Sequence, residues 1–139
     1  MNSTQPSHTR VYPAFQAHDP QALLTFLVDA LGFVENVAYR DGEGEGAEIV
    51  HAQLDWPGGG GIMFGSYKPD NPWCREPGTA GVYLVTDDLD TVYARAQAAG
   101  ADIIRPLEDT DYGSREFGLR DPEGNLWSIG TYAGEPHQA

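Results

Sequence analysis

At 139 residues the chain has room for one domain of ordinary size, roughly 100–200 residues, and not for two independent cores. Asp and Glu number 21 against 8 Lys and Arg, a formal net charge of −13, which excludes an electrostatic grip on nucleic acid or an anionic membrane because both need a basic face. Apolar residues at 40% suffice for a buried core, Cys74 is alone and cannot form an intrachain disulfide, and neither a membrane span of ~20 apolar residues nor a basic-then-apolar leader is present, so a cytoplasmic setting is expected.

Residues 1–9 and 133–139 are polar and aperiodic and read as tails around an ordered domain of residues 10–132. Val11–Gln16 alternates as a strand. Asp19-Pro20 then supplies an N-cap with proline at the first helical position, and Leu23, Leu24, Leu27 and Leu31 recur at helical spacing up to Gly32, a left-handed stop. Strands are predicted at Phe33–Arg40, Glu48–Trp56 and Gly61–Tyr67, separated by the turns Asp41–Gly46 and Pro57–Gly60. A proline-rich connector, Lys68–Gly78, follows. The same order then begins again: a strand at Gly81–Val85, an Asp87-capped helix with Leu89, Val92, Tyr93 and Ala96 on one stripe ending at Gly100, and strands at Asp102–Glu108, Ser114–Leu119 and Asn125–Tyr132.

Asp19 to Gly32 and Asp87 to Gly100 each span 13 residues, and Pro57-x-Gly59 leads to Gly65-Ser66-Tyr67 as Pro122-x-Gly124 leads to Gly130-Thr131-Tyr132. The chain is therefore an internal repeat of roughly 65–68 residues, residues 10–67 and 79–132, each copy too small to cover its own apolar face alone.

These paired β-α-β-β-β halves, with Asp87-Asp88-Leu89-Asp90, Ala99-Gly100-Ala101, the strand His51-Ala52-Gln53-Leu54 and above all Arg120-Asp121-Pro122-Glu123-Gly124-Asn125-Leu126-Trp127, resemble the vicinal oxygen chelate superfamily of glyoxalase I, extradiol dioxygenases and bleomycin-resistance proteins. The resemblance implies an α+β fold of two tandem modules forming an incomplete barrel around a ligand cavity, usually in a homodimer. Its enzymatic members hold a divalent metal with His, Glu or Gln from four strands. The corresponding positions here are Tyr12, Gln53, Gly81 and Ser128, of which only Gln53 is a plausible ligand, so no metal or other cofactor is expected.

Strand alternation places Tyr12, Tyr83 and Ser128 toward the cavity, with His51 and Gln53 sharing one face of their strand. That lining of aromatic and uncharged polar groups suits a planar or amphipathic ligand, or else simply fills a small barrel. His51 reads as a polar wall residue, or as one ligand of a relocated metal. Arg115 either orients an anionic ligand or is a structural ion-pair partner, and Trp73 in the connector either forms a lid or packs at a dimer contact. Cys74 has no adjacent His or Lys to activate it, and Pro57-Gly58-Gly59-Gly60-Gly61 lacks the Lys-Ser/Thr ending of a phosphate loop. Two functions follow from this sequence: a metal-independent small-molecule binding protein that sequesters an aromatic or cationic natural product, or a lyase or isomerase using a non-standard metal site or a His51 or Tyr83 acid–base group. A third reading keeps the fold as a dimerisation module with a filled cavity.

Overall fold

The computed structural model describes residues 9–44 and 46–136; most of the N-terminal tail, with His8, and the last residues, with His137, lie outside it, as does one residue of the Asp41–Gly46 turn. The first module runs β1 (Ala14–Ala17), α1 (Pro20–Phe26) extended by a π-turn (Leu27–Leu31), β2 (Val34–Asp41), β3 (Glu48–Asp55) and β4 (Gly61–Ser66). The second runs β5 (Gly81–Val85), α2 (Leu89–Ala98), β6 (Asp102–Asp109), β7 (Arg115–Arg120) and β8 (Leu126–Gly130). Each forms a four-stranded mixed sheet, β1-β4-β3-β2 and β5-β8-β7-β6, with its first and last strands parallel and the rest antiparallel. The architecture is the expected α+β pair of tandem modules, with no closed barrel.

Two expected boundaries move for local reasons. β1 starts at Ala14 instead of Val11, because Pro13 has no N–H to give to a ladder; its carbonyl accepts from Met63 N, and Val11 is left exposed. The N-cap of α2 is Asp88, not Asp87. In the first module Gln16 pairs with Gly65, in the second Val85 pairs with Gly130, and both Gln16/Val85 and the caps Asp19/Asp88 are 69 positions apart (85 − 16 and 88 − 19). The stop glycines Gly32 (φ +88) and Gly100 (φ +73) are only 68 apart (100 − 32). The first helix thus carries one extra residue, and the π-turn absorbs it: Phe33 N reaches back six positions to the Leu27 carbonyl, whereas Ala101 N reaches back five to Ala96. The equal spacing seen in the sequence came from counting Asp87 as the cap.

One face of each sheet packs on the helices. Ala52, Leu54, Ile62 and Phe64 meet the Leu23-Leu27-Leu31 stripe, and Phe117 of β7 takes the Tyr93 ring of α2 edge-on at 4.9 Å. Trp127, fully buried, joins the two halves, lying edge-on to Phe15 (6.2 Å) and to Phe33 (5.6 Å) of the first module. The modules therefore share one core instead of holding two.

Candidate functional site

Because side chains alternate along a strand, a helix-packed face leaves the opposite face of each sheet open. In the first sheet the register aligns Ala14, Met63, Gln53 and Val37 across β1, β4, β3 and β2. The structure brings Tyr12 and Gln53 together here: the Gln53 amide donates to the Tyr12 hydroxyl (3.3 Å) and to Asp55 Oδ1 (3.0 Å), while Asn36 Nδ2 holds Asp55 Oδ2 (2.8 Å). His51, one step along the same face, stacks against Tyr39 with ring centroids 6.2 Å apart.

In the second sheet the equivalent row is Tyr83, Ser128, Gly118 and Arg105. Gly118 has no side chain to obstruct the row, so Arg105 lies across β7 and its Nη2 reaches Ser128 Oγ at 2.9 Å. The next row contains Glu116 opposite Gly130. Glu116 is only 4% exposed, yet it belongs to the open face, roofed by the groups it binds: Tyr112 donates to Oε2 (2.7 Å) and Arg105 Nη2 faces Oε1 (3.4 Å). A Cβ on Gly130 would stand 2.6 Å from Glu116 Cγ and 2.7 Å from the Tyr83 hydroxyl, so glycine there is what lets these two groups seat side by side. The Tyr83 hydroxyl donates to the Tyr132 carbonyl (2.7 Å), and the Tyr132 ring meets Tyr112 edge-on at 6.0 Å.

Burial, with Glu116 nearby, pushes the Tyr83 phenol up, and the hydrogen bond to Glu116 does the same for Tyr112. A phenol whose pKa is raised on folding contributes stability in full below the ordinary tyrosine value of ~10, and that contribution disappears as pH climbs through the raised value. Glu116→Gln should therefore let Tyr112 ionise at lower pH than in the native protein, read as an earlier rise in phenolate absorbance during alkaline titration. Superimposable curves for the two proteins would contradict the assignment.

Several predicted residues lie elsewhere. Arg115 is on the opposite face of β7 from Glu116, in ion pairs with Asp90 of α2 (3.4 Å) and Asp109 (3.7 Å), and does not reach the Tyr83–Ser128 row. Trp73 is 79% exposed between β4 and β5, its backbone N–H held by Asn71 Oδ1, and stacks on no other aromatic ring among the described residues; the segment is fastened to β1 where Arg75 N donates to Gln16 Oε1 (2.7 Å). By register Gln53 is the counterpart of Gly118, and Met63 occupies the position equivalent to Ser128.

Tyr12, Gln53, Gly81 and Ser128 do not fit a divalent cation. Glycine supplies no ligand, and the Arg105 guanidinium on Ser128 Oγ places positive charge where a cation would have to sit. Among the described residues no three His, Cys, Asp or Glu side chains converge as a metal site. A larger cleft of about 860 Å³ runs between the modules, walled by Phe33, the Trp56–Gly60 turn and the β5–α2 junction. Three of its polar groups have protein partners: Trp56 Nε1 donates to Val85 O (2.7 Å), Arg95 Nε to Asp29 O (2.9 Å), and Asp88 N to Thr86 Oγ1 (3.1 Å). Of the predicted site residues only Tyr83 lines it, so the open face of the second sheet, where charged and phenolic groups converge, is the stronger candidate.

The family described as the Glyoxalase/Bleomycin resistance protein/Dioxygenase superfamily matches residues 8–129. The chain belongs to this superfamily. An uncharacterised Mycobacterium bovis protein is 39% identical over 133 residues, covering 86% of this chain and 84% of its own length, and an uncharacterised Mycobacterium tuberculosis protein is equally similar over 75% of its length. Among solved structures, TioX from Micromonospora sp. ML1 superposes with a TM-score of 0.74 at 32% identity over 88% of this chain and 98% of its own. A superfamily member from Sphaerobacter thermophilus shares the fold with a TM-score of 0.65 at 23% identity, over 88% of this chain and 97% of its own. The glyoxalase-superfamily fold accounts for the Asp121–Trp127 turn and the parallel first and last strands of each module.

The sequence reading missed Glu116, Arg105 and Tyr112. A signal for Glu116 was available: the alternation that put Arg115, Phe117 and Leu119 on one face left Glu116 and Gly118 on the other, beside Ser128. No comparable signal marked Arg105, because β6 is irregular between Ile103 and Glu108 and its facing cannot be counted from one end.

Proposed function

We propose that the protein binds a small aromatic molecule against the open face of β5-β8-β7-β6, without a metal, and that it does so in the cytoplasm as a homodimer in which the first sheet of a second copy closes over the site. The observation that carries this reading is Arg105 on Ser128 Oγ, a guanidinium in a position where a catalytic member would need room for a divalent ion. Tyr83 (39% exposed), Tyr112 (60%) and Leu126 (45%) on or beside this face supply stacking and apolar surface. Exposed Tyr39 and Val34 of the first sheet offer a complementary wall for a second copy. At Tyr83 the acid–base alternative has less support: its hydroxyl is engaged as a donor to the Tyr132 carbonyl, and burial moves its pKa further from neutrality, so it is a poor general base.

Titration calorimetry with a panel of planar aromatic antibiotics, bleomycin included, combined with sedimentation equilibrium, tests the proposal. Micromolar binding by a dimer that is unchanged by chelator supports it. A monomer that binds none of the panel below millimolar concentration rejects it, as does binding that requires added Mn²⁺, Ni²⁺, Zn²⁺ or Fe²⁺.

A further inference from the structure

The arrangement around Arg105 deepens the proposed function, on which it rests, by naming the chemistry of the ligand. Glu116 is a carboxylate placed almost out of water on a sheet face whose neighbours Tyr83 and Leu126 remain exposed. Taking a carboxylate out of water is costly unless hydrogen bonds and a counter-charge compensate it, so its position calls for a role that an apolar residue could not fill. Both of its oxygens are occupied, one by Tyr112 and the other by Arg105. Arg105, by contrast, is 38% exposed at its side chain. Its Nη2 alone is directed at Glu116 and Ser128, and among the described residues Nε and Nη1 have no hydrogen-bond partner. The guanidinium is thus fixed through one nitrogen, with its stem lying over Gly118, and the side chain keeps access to solvent.

A guanidinium held in one orientation has already lost most of the side-chain freedom that binding would otherwise remove; both of its bidentate edges include Nη2, which Glu116 and Ser128 occupy, so Nη1 and Nε are left to give single charge-assisted hydrogen bonds to a carboxylate. Tyr112 shares Glu116 with it, and Tyr132 joins Tyr112 to Tyr83. We infer that Arg105 anchors the ligand, that Glu116 and Ser128 are positioning residues for it, and that the ligand is an aromatic molecule carrying a carboxylate. The protein's charge of −13 sets a counter-preference for cations in the long-range field, but that field acts over about 8 Å at physiological salt, whereas Arg105 acts at contact.

The test uses three probes of one shape, 2-naphthoate, 2-naphthamide and 2-naphthylmethylamine, titrated into the full chain and followed by two-dimensional amide NMR. The expected result is naphthoate binding about tenfold or more tighter than naphthamide, with the largest shifts at Gly118, Ser128 and Gly130. Arg105→Met should erase that ratio, and Arg105→Lys, which keeps the charge without the oriented guanidinium, should reduce it to about threefold or less. Glu116→Gln and Ser128→Ala should each lower it by about threefold with Arg105 still present, which simple loss of stability would not do. Equal binding of naphthoate and naphthamide by the native protein, or a ratio that survives in Arg105→Met, overturns the inference while leaving ligand binding at this face intact. No shift on this face with any of the three probes overturns both.

Discussion

Asp121→Ala should destabilise the protein by about 4 kcal/mol, the largest loss expected of any single polar replacement here. The carboxylate is 4% exposed and accepts five hydrogen bonds. Oδ1 takes the backbone N–H groups of Glu123 (2.8 Å), Gly124 (2.9 Å) and Asn125 (3.0 Å), closing the turn before β8; Oδ2 takes Asn125 Nδ2 (2.9 Å) and Trp127 Nε1 (2.8 Å). Asn125 then passes the connection on, its Oδ1 accepting from Ala80 N (3.0 Å) at the start of β5. Removing the carboxylate strands several donors at once and frees the Trp127 ring that links the two modules. Asp121→Asn keeps an acceptor for the backbone groups but turns an NH₂ toward two other donors, so about 2–3 kcal/mol should be lost. Trp127→Phe alone removes one donor from the set, and in a double-mutant cycle with Asp121→Ala the two losses should not add. Urea denaturation of the four proteins measures this; additive losses, or a cost below about 1 kcal/mol for Asp121→Ala, would show that the turn holds itself.

Gly78→Ala comes next, with an expected cost of about 3 kcal/mol or more. Gly78 ends the connector at φ +82, and a Cβ there would run into the carbonyl oxygen of Glu123, on the same turn that Asp121 organises. A left-handed alanine costs about 1–2 kcal/mol by itself, and the obstruction is backbone, which cannot rotate away as a side chain can. Gly42 is the natural control. It too has positive φ (+92), but a Cβ there meets nothing within 4 Å, so Gly42→Ala should lose only the conformational part. Equal midpoints for the two variants in denaturant would remove the steric argument.

The fold was largely legible because its signals are local. Asp19 and Pro20 start a helix and Gly32 and Gly100 end helices by backbone conformation alone, and the period-two pattern of β3, with Ala52 and Leu54 inward and His51 and Gln53 outward, needs no tertiary information. The candidate site was legible only in part. Tyr12 and Gln53 are joined as neighbours on one face, and Tyr83 and Ser128 are paired directly, but Arg115 was selected for its charge although alternation alone put it with Phe117 on the helix side. The residue that reaches Ser128 comes from β6, two strands away across Gly118, and such a reach depends on an irregular pairing between Arg105 and Glu108 that no pattern in β6 announces. Equivalence between strands of the two modules is likewise a property of register, which the sequence expresses only through its turns.

An insertion in an α-helix ordinarily turns every later side chain by about 100° around the axis, and here it would have carried Phe33 away from Trp127. Confining the additional residue to Leu27–Leu31 lets the helix enter and leave on the same bearings as its twin. The two halves have thereby become distinguishable by length while remaining interchangeable in outline, and each can drift in chemistry on its own. One has Met63 at the centre of its sheet and the other has Ser128 with a guanidinium upon it. The repeat is legible in the geometry of the chain; its division of labour lies in the side chains that differ between the halves.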